Sequence, residues 1–117
     1  MRPEIKTYLE DIRQAASLIL KFTEDKDWTD YRQDPLLRSG VERQFEIMGE
    51  AVGAARRMQK KVVSQITNYE RIIAFRNILI HGYAVVDDHV VWDIVRRDLP
   101  VLYREVEGLL RDNSDSS

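Results

Sequence analysis

Four side chains of complementary chemistry lie within eight residues of the chain. They are an arginine, an amide, an imidazole and a phenol, at Arg76, Asn77, His81 and Tyr83. An arginine presents a planar fork of donors to phosphate oxygens, and an imidazole changes its charge near neutral pH. Together these groups could bind a phosphodiester and move the protons needed to cleave it. Functional inference therefore starts from this segment, which contains one of the two histidines of the chain.

The four polar groups lie at the end of a predicted helix. From about Tyr69 to Ile80 the chain is apolar around much of a helical circumference, which predicts burial on more than one side. Asn68 is predicted to cap the start of this helix. Gly82 is predicted to end it, because glycine enters left-handed conformations without strain. A loop after Gly82 would then turn the imidazole and the phenol toward the arginine.

Three further long helices are predicted from apolar stripes at three- and four-residue steps. They run from about residue 4 to 23, from 35 to about 60, and from an acidic cap at 87 or 88 to about 109. Asp27 is predicted to cap a short helix, and Asp34 followed by Pro35 marks another helix start. Pro100 predicts a kink in the last helix, because proline lacks a backbone donor. The stripes are Ile5, Leu9, Ile12, Ala16, Ile19 and Phe22, then Leu37, Val41, Phe45, Met48, Val52 and Ala55, and finally Val91, Ile94, Val95, Leu99, Leu102, Val106 and Leu109.

These elements predict an all-α fold, an up-and-down bundle of four to five helices joined mostly by short links. Residues 61–67 fit either a loop or a continued helix. The length of 117 residues suits one domain, predicted over residues 1–111, with residues 112–117 as a frayed tail. A composition of 44% hydrophobic and 32% charged residues excludes wholesale disorder.

Composition also limits which binding sites the chain could contain and where in the cell we expect it. Cysteine is absent, which excludes a disulfide framework and a thiolate metal site. The two histidines are not spaced as a metal site, so we expect neither a metal nor a cofactor. No run is long enough to span a membrane and no signal-peptide core is present, so we expect a cytoplasmic protein.

A net charge of −2 gives the chain no overall attraction to nucleic acid, so RNA binding would need a local basic patch. Four cations within six residues, Arg56, Arg57, Lys60 and Lys61, are a candidate for contacts to an RNA backbone. A solvated helix end explains them equally well, because cations are favourable near the C-terminus of a helix.

Each residue of the polar segment also has a purely structural explanation. Arg76 could pair at the surface, His81 could bond the last carbonyls of its helix, and Tyr83 could pack on a neighbour. The combination argues against that explanation, because four groups suited to one reaction lie in eight residues.

The pattern Arg-x4-His-x-Tyr, with a polar residue directly after the arginine, resembles the signature of HEPN domains. The chain is most similar to the HepT-type toxins of HEPN–MNT toxin–antitoxin pairs, in which MNT is a minimal nucleotidyltransferase. The resemblance covers most of the chain. It includes the segment from Glu42 to Ala51 and the run from Val91 to Pro100.

This resemblance implies a metal-independent endoribonuclease toxin of a type VII-like pair, cleaving an RNA such as tRNA or mRNA. Arg76, Asn77 and His81 would be its catalytic residues, in a homodimer formed through the motif helix. The cognate nucleotidyltransferase antitoxin would silence it by transferring AMP to Tyr83.

Two alternatives stay open at this stage. Glu50 could support the site as a buried partner of Arg76, or it could face solvent. The alternative function is a non-catalytic HEPN-like helical dimer that binds nucleotide or a partner nucleotidyltransferase. The two functions share a fold, and they differ in whether His81→Ala abolishes RNA cleavage.

Overall fold

The computed structural model describes residues 2–82 and 86–114, and every regular element in these two ranges is helical. The predicted all-α class is therefore confirmed. Four helices are long and three are short, and a π-helical turn over Ile94–Asp98 joins the last two. The helices are α1 (Pro3–Thr23), α2 (Trp28–Gln33), α3 (Pro35–Met58), α4 (Lys60–Val63), α5 (Tyr69–His81), α6 (Asp88–Asp93) and α7 (Leu99–Ser114).

Acidic caps fix the starts of α2 and α3 where the sequence predicted them. Asp27 and Asp30 form a reciprocal capping box, in which the backbone N–H of each residue donates to the carboxylate of the other, at 2.8 and 3.1 Å. The Asp34 carboxylate accepts the N–H groups of Leu36 and Leu37, both at 3.1 Å. These bonds satisfy early amide donors that a helix leaves without partners.

The start of α5 is built differently from the prediction. Asn68 occupies the cap position, but its side chain makes no capping hydrogen bond. Its backbone is instead left-handed, with φ at 59°, a conformation that asparagine tolerates better than most residues. The preceding turn is tied to α7, because the Thr67 N–H and hydroxyl both donate to the Glu105 carboxylate, at 3.0 and 2.7 Å.

The bundle places α5 at its edge. Helix α1 packs against both α3 and α7, whereas α5 packs chiefly against α3. The short α2 lies against α3 and α6. Nearly all of the predicted stripes are buried in the core, with Leu37 half-buried. Phe22 was predicted wrongly: it is 39% exposed near the end of α1, where its ring lies over Gly40.

The kink predicted at Pro100 takes the form of the π turn. In an α-helix the residue at 100 would donate its N–H to the carbonyl of Arg96, and proline has no N–H. The chain widens here, and the Leu99 N–H donates five residues back to the Ile94 carbonyl.

The C-terminal helix continues to Ser114, three residues into the predicted tail, and residues 115–117 lie outside the described ranges. Across residues 2–82 and 86–114, the helices are too short or too polar to cross a membrane.

Candidate functional site

One face of α5 is buried and the other faces solvent. Ile72 and Phe75 pack toward α3, where the rings of Phe75 and Phe45 meet edge to face with centroids 5.3 Å apart. Ile78 and Ile80, which lie about 160° apart around the helix, are 44% and 45% exposed. The predicted burial on more than one side is therefore not achieved within a single chain.

Arg76 lies where α5 packs on α3. Its side chain is half-buried, and its Cβ and Cγ lie against Gly49. Its Nε is buried and has no hydrogen-bond partner among the described residues, and Nη1 donates to the Asn77 Oδ1 over a long 3.4 Å. Within residues 2–82 and 86–114 the guanidinium belongs to no ion pair, so no described carboxylate neutralises its charge.

Asn77 and His81 are exposed and lie four residues apart, so they share a face of α5. His81 is the last residue of the helix, where the backbone carbonyls favour a cation. Gly82 ends the helix as predicted, with φ at 63° and its N–H donating to the Ile78 carbonyl. His81 follows Arg76 by five residues, or about 7.5 Å along the helix axis.

Tyr83, which the sequence predicts as the AMP acceptor, lies outside the described ranges. The structure therefore brings Arg76 and Asn77 into contact and places His81 just over one turn further along the same helix.

Glu50 takes the solvent-facing alternative. Its side chain is exposed on α3, and it forms no ion pair with Arg76. Its neighbour Gly49 contacts the arginine instead.

The four basic residues lie at the other end of α5 from His81. All four are exposed around the junction of α3 and α4, and Arg56 lies close enough to Tyr69 to act on its phenol electrostatically. Tyr69 begins α5 and His81 ends it, which separates them by about 18 Å along the axis. The structure therefore does not bring these cations to the imidazole. The residues are Arg56, Arg57, Lys60 and Lys61.

A polar cluster that the sequence does not reveal lies where the start of α6 meets α2 and α3. Arg38 on α3 forms an ion pair with Asp88 at 3.7 Å and donates to the backbone carbonyls of Tyr31 and Arg32. Burial raises the pKa of Glu42, as does the negative charge of Asp88, while Arg38 opposes the shift. Burial also raises the pKa of Tyr31, whose hydroxyl has no hydrogen-bond partner among the described residues.

The second histidine belongs to this neighbourhood. His89 is exposed, and its ring stacks on Trp28 with centroids 3.7 Å apart. Asp87 caps α6 by accepting the His89 N–H at 2.9 Å. Among the residues in the described ranges, no three histidine, aspartate or glutamate side chains are grouped as metal ligands would be.

Reasoning from the sequence does not identify Gly49 as a site residue, although the sequence contains a sign of its role. A glycine inside a strongly patterned helix weakens that helix, so it suggests a packing reason. The sequence alone does not reveal which side chain fills the space.

Comparison with known proteins assigns the chain to a family. A family model described as "Ribonuclease HepT-like" matches residues 12–109. The chain belongs to this family, and the HEPN resemblance drawn from the motif is confirmed.

Two of the relatives match over nearly their whole length. The chain is 35% identical over 109 residues to a Thermococcus cleftensis protein named "Probable ribonuclease HepT", covering 93% of this chain and 98% of the relative. It is 33% identical over 106 residues to the Methanocaldococcus jannaschii protein named "Putative RNase MJ1380", covering 89% and 94%. No solved structure gave a significant match.

Proposed function

We propose that this chain is a metal-independent endoribonuclease toxin in which Arg76, Asn77 and His81 are the catalytic residues. The observation that carries the proposal is the environment of the Arg76 side chain, in a chain that belongs to the HepT-like ribonuclease family. Its guanidinium is held at a helix crossing, no described carboxylate pairs with it, and a histidine follows about one turn later.

The proposed reaction uses the RNA's own 2′-OH as the nucleophile. The 2′-oxygen attacks the adjacent phosphorus, the bond to the 5′-oxygen breaks, and a 2′,3′-cyclic phosphate forms. A base removes the 2′ proton, an acid protonates the departing 5′-oxygen, and a cation stabilises the crowded phosphorane. His81 carries protons, and Arg76 offers its donor fork to the phosphate oxygens. Asn77, which accepts from Arg76 Nη1, orients the guanidinium or the phosphate.

A two-fold dimer through α5 would supply the acid and the base together. One chain has one motif histidine, whereas two copies of α5 facing each other would bring two arginines and two histidines into one cleft. The exposed Ile78 and Ile80 on this edge helix support that interface, because apolar side chains gain free energy when a partner covers them.

The proposed partner is a cognate MNT-type nucleotidyltransferase antitoxin in the cytoplasm. The Tyr83 phenol oxygen would attack the α-phosphorus of ATP, pyrophosphate would leave, and AMP would remain on the tyrosine. The added negative charge and purine, two residues from His81, would exclude RNA from the site. This regulation rests on the family resemblance.

The basic residues around the α3–α4 junction would take part only if the RNA runs along α5. Their exposure supports a contact to the RNA backbone, and their separation from His81 assigns them to binding rather than chemistry. A solvated helix end remains the alternative for them.

Cleavage of RNA in the presence of a metal chelator tests the proposed function. Wild type and His89→Ala are expected to cleave, and His81→Ala is expected to lose about 10²–10⁴-fold in rate, the usual contribution of a positioned acid or base. His89 is the matched control, because it is the other exposed histidine of the chain. Equal cleavage by His81→Ala and wild type would favour the non-catalytic dimer.

A further inference from the structure

Gly49 stands in the interior of α3, far from either end of the helix. Glycine is unfavourable at such a position, because it gains flexibility in the unfolded chain and offers no side chain to pack. Its presence therefore calls for a reason in the packing. Gly53, one turn later on the same helix, provides an internal comparison.

The surroundings of the two glycines differ sharply. A Cβ built on Gly49 would lie 2.3 Å from the Cβ of Arg76, 2.8 Å from its Cγ and 3.1 Å from the backbone oxygen of Ile72. A Cβ built on Gly53 would meet only the end of the Arg57 side chain, at 3.6 Å. The first contact involves atoms fixed to the backbone of α5, which no rotamer change can move away.

The same contact fixes the stem of Arg76. Neither an ion pair nor a strong hydrogen bond holds the guanidinium among the described residues, because Nε has no partner and Nη1 makes one long bond. The first carbons of the side chain, by contrast, pack directly on Gly49. The position of the guanidinium is therefore set by the separation of the two helices at this crossing.

We propose that Gly49 is a positioning residue, which places the Arg76 guanidinium for the phosphate by letting α5 approach α3 without a side chain between them. The inference rests on the ribonuclease function proposed above. It assigns to Gly49 a role in the reaction that acts entirely through another residue.

The size of the expected effect follows from the geometry. Ordinary van der Waals contact begins at 3.4 Å, so a methyl group at position 49 must push the two Cβ atoms about 1 Å apart. A displacement of about 1 Å in a catalytic group costs on the order of 10²-fold in rate. Since a two-fold dimer would contain two such crossings, both arginines of a shared cleft would move.

The experiment compares wild type, Gly49→Ala and Gly53→Ala as dimers, measuring kcat and KM for RNA cleavage and the thermal midpoint. Gly49→Ala is expected to lower kcat by about 10²-fold. Gly53→Ala, which adds the same methyl group to the same helix, is expected to stay within about threefold of wild type, because a Cβ at Gly53 makes only an ordinary contact with the end of the Arg57 side chain. A purely structural role for Gly49 would lower the thermal midpoint and leave kcat of the folded dimer unchanged.

Equal kcat for the two alanine variants would overturn the role of Gly49 while leaving the ribonuclease in place. Failure of wild type itself to cleave would overturn the proposed function, and the role of Gly49 with it. If Gly49→Ala does not fold, the thermal midpoint of the double variant Gly49→Ala with Arg76→Gly is compared with that of Arg76→Gly alone, because both lack the opposing Cβ and Cγ. Equal midpoints support the contact on which the positioning role depends, and a much lower midpoint for the double variant contradicts it.

Discussion

Arg38 and Asp88 form an ion pair of 3.7 Å that joins α3 to the first turn of α6. Asp88 is the first residue of α6, so this pair attaches the start of α6 to α3. Arg38 also donates to two carbonyls at the end of α2 and thereby joins three helices.

Removing this arginine should destabilise the chain. Arg38→Met is expected to lower the free energy of unfolding by about 1–3 kcal/mol, because hydrogen bonds from a charged donor are lost and two carbonyls lose a partner. Chemical denaturation provides the measurement. Arg43→Met is the control, since the Arg43 side chain is 68% exposed and its pair with Glu46 is expected to contribute less than about 0.5 kcal/mol. Equal losses in the two variants would contradict a joining role for Arg38.

The attachment of α5 to α3 depends on Phe75. Its ring is 7% exposed and meets Phe45 edge to face, so Phe75→Ala is expected to cost about 3–5 kcal/mol of unfolding free energy. Phe22→Ala makes the same chemical change at a ring that is 39% exposed, and it is expected to cost clearly less. Denaturation midpoints that fall equally would show that α5 is not held by this contact.

Dimerisation should be sensitive to charge on the exposed face of α5. Ile78→Glu is expected to shift the protein from dimer to monomer in sedimentation, because an unpaired carboxylate would be buried at the interface. The fold should survive, since Ile78 is 44% exposed in one chain. Val90→Glu has the same starting exposure of 44% on α6 and is expected to leave the dimer intact. A monomeric wild type would refute the interface outright.

Mixed dimers should reveal a shared site. A dimer of one wild-type protomer and one His81→Ala protomer keeps only one histidine in a composite cleft, which then lacks an acid or a base. Its turnover is therefore expected to fall far below half that of the wild-type dimer. If each protomer carried an independent site, the wild-type protomer would keep its full activity, and the mixed dimer would retain half of the wild-type turnover. Differently tagged protomers, purified in tandem, allow the comparison.

Glu42 should make stability depend on pH. Its pKa is raised in the folded chain, first by burial and then by the charge of Asp88, so folding favours the protonated carboxyl. This contribution is present below the unfolded pKa, about 4.3, and is lost as pH rises through the folded value. Glu42→Gln is expected to melt above wild type at pH 7, with the difference closing below about pH 4.

Much of the fold was predictable because its signals are local. The carboxylates of Asp27 and Asp34 cap helices with bonds to residues two or three positions away, so neighbouring sequence contains the whole interaction. The core stripes follow from the period of the helix. Gly82 ends α5 through its own backbone conformation.

Features that depend on distant parts of the chain were missed or mistaken. The sequence predicts a side-chain cap at Asn68, but the turn before α5 is shaped by Glu105 of α7. Phe22 continues the period of its stripe but is 39% exposed in the structure. The sequence leaves open whether Glu50 pairs with Arg76 or faces solvent, and the structure packs the adjacent Gly49 against the arginine.

The position of α5 at the edge of the bundle affects how the activity would depend on protein concentration. If the complete site forms only when two such edges meet, then well below the dissociation constant the number of complete sites grows with the square of protomer concentration. Halving the amount of protein would leave about a quarter of the sites. The chain would be nearly harmless at low abundance and active above a threshold, even before any antitoxin acts.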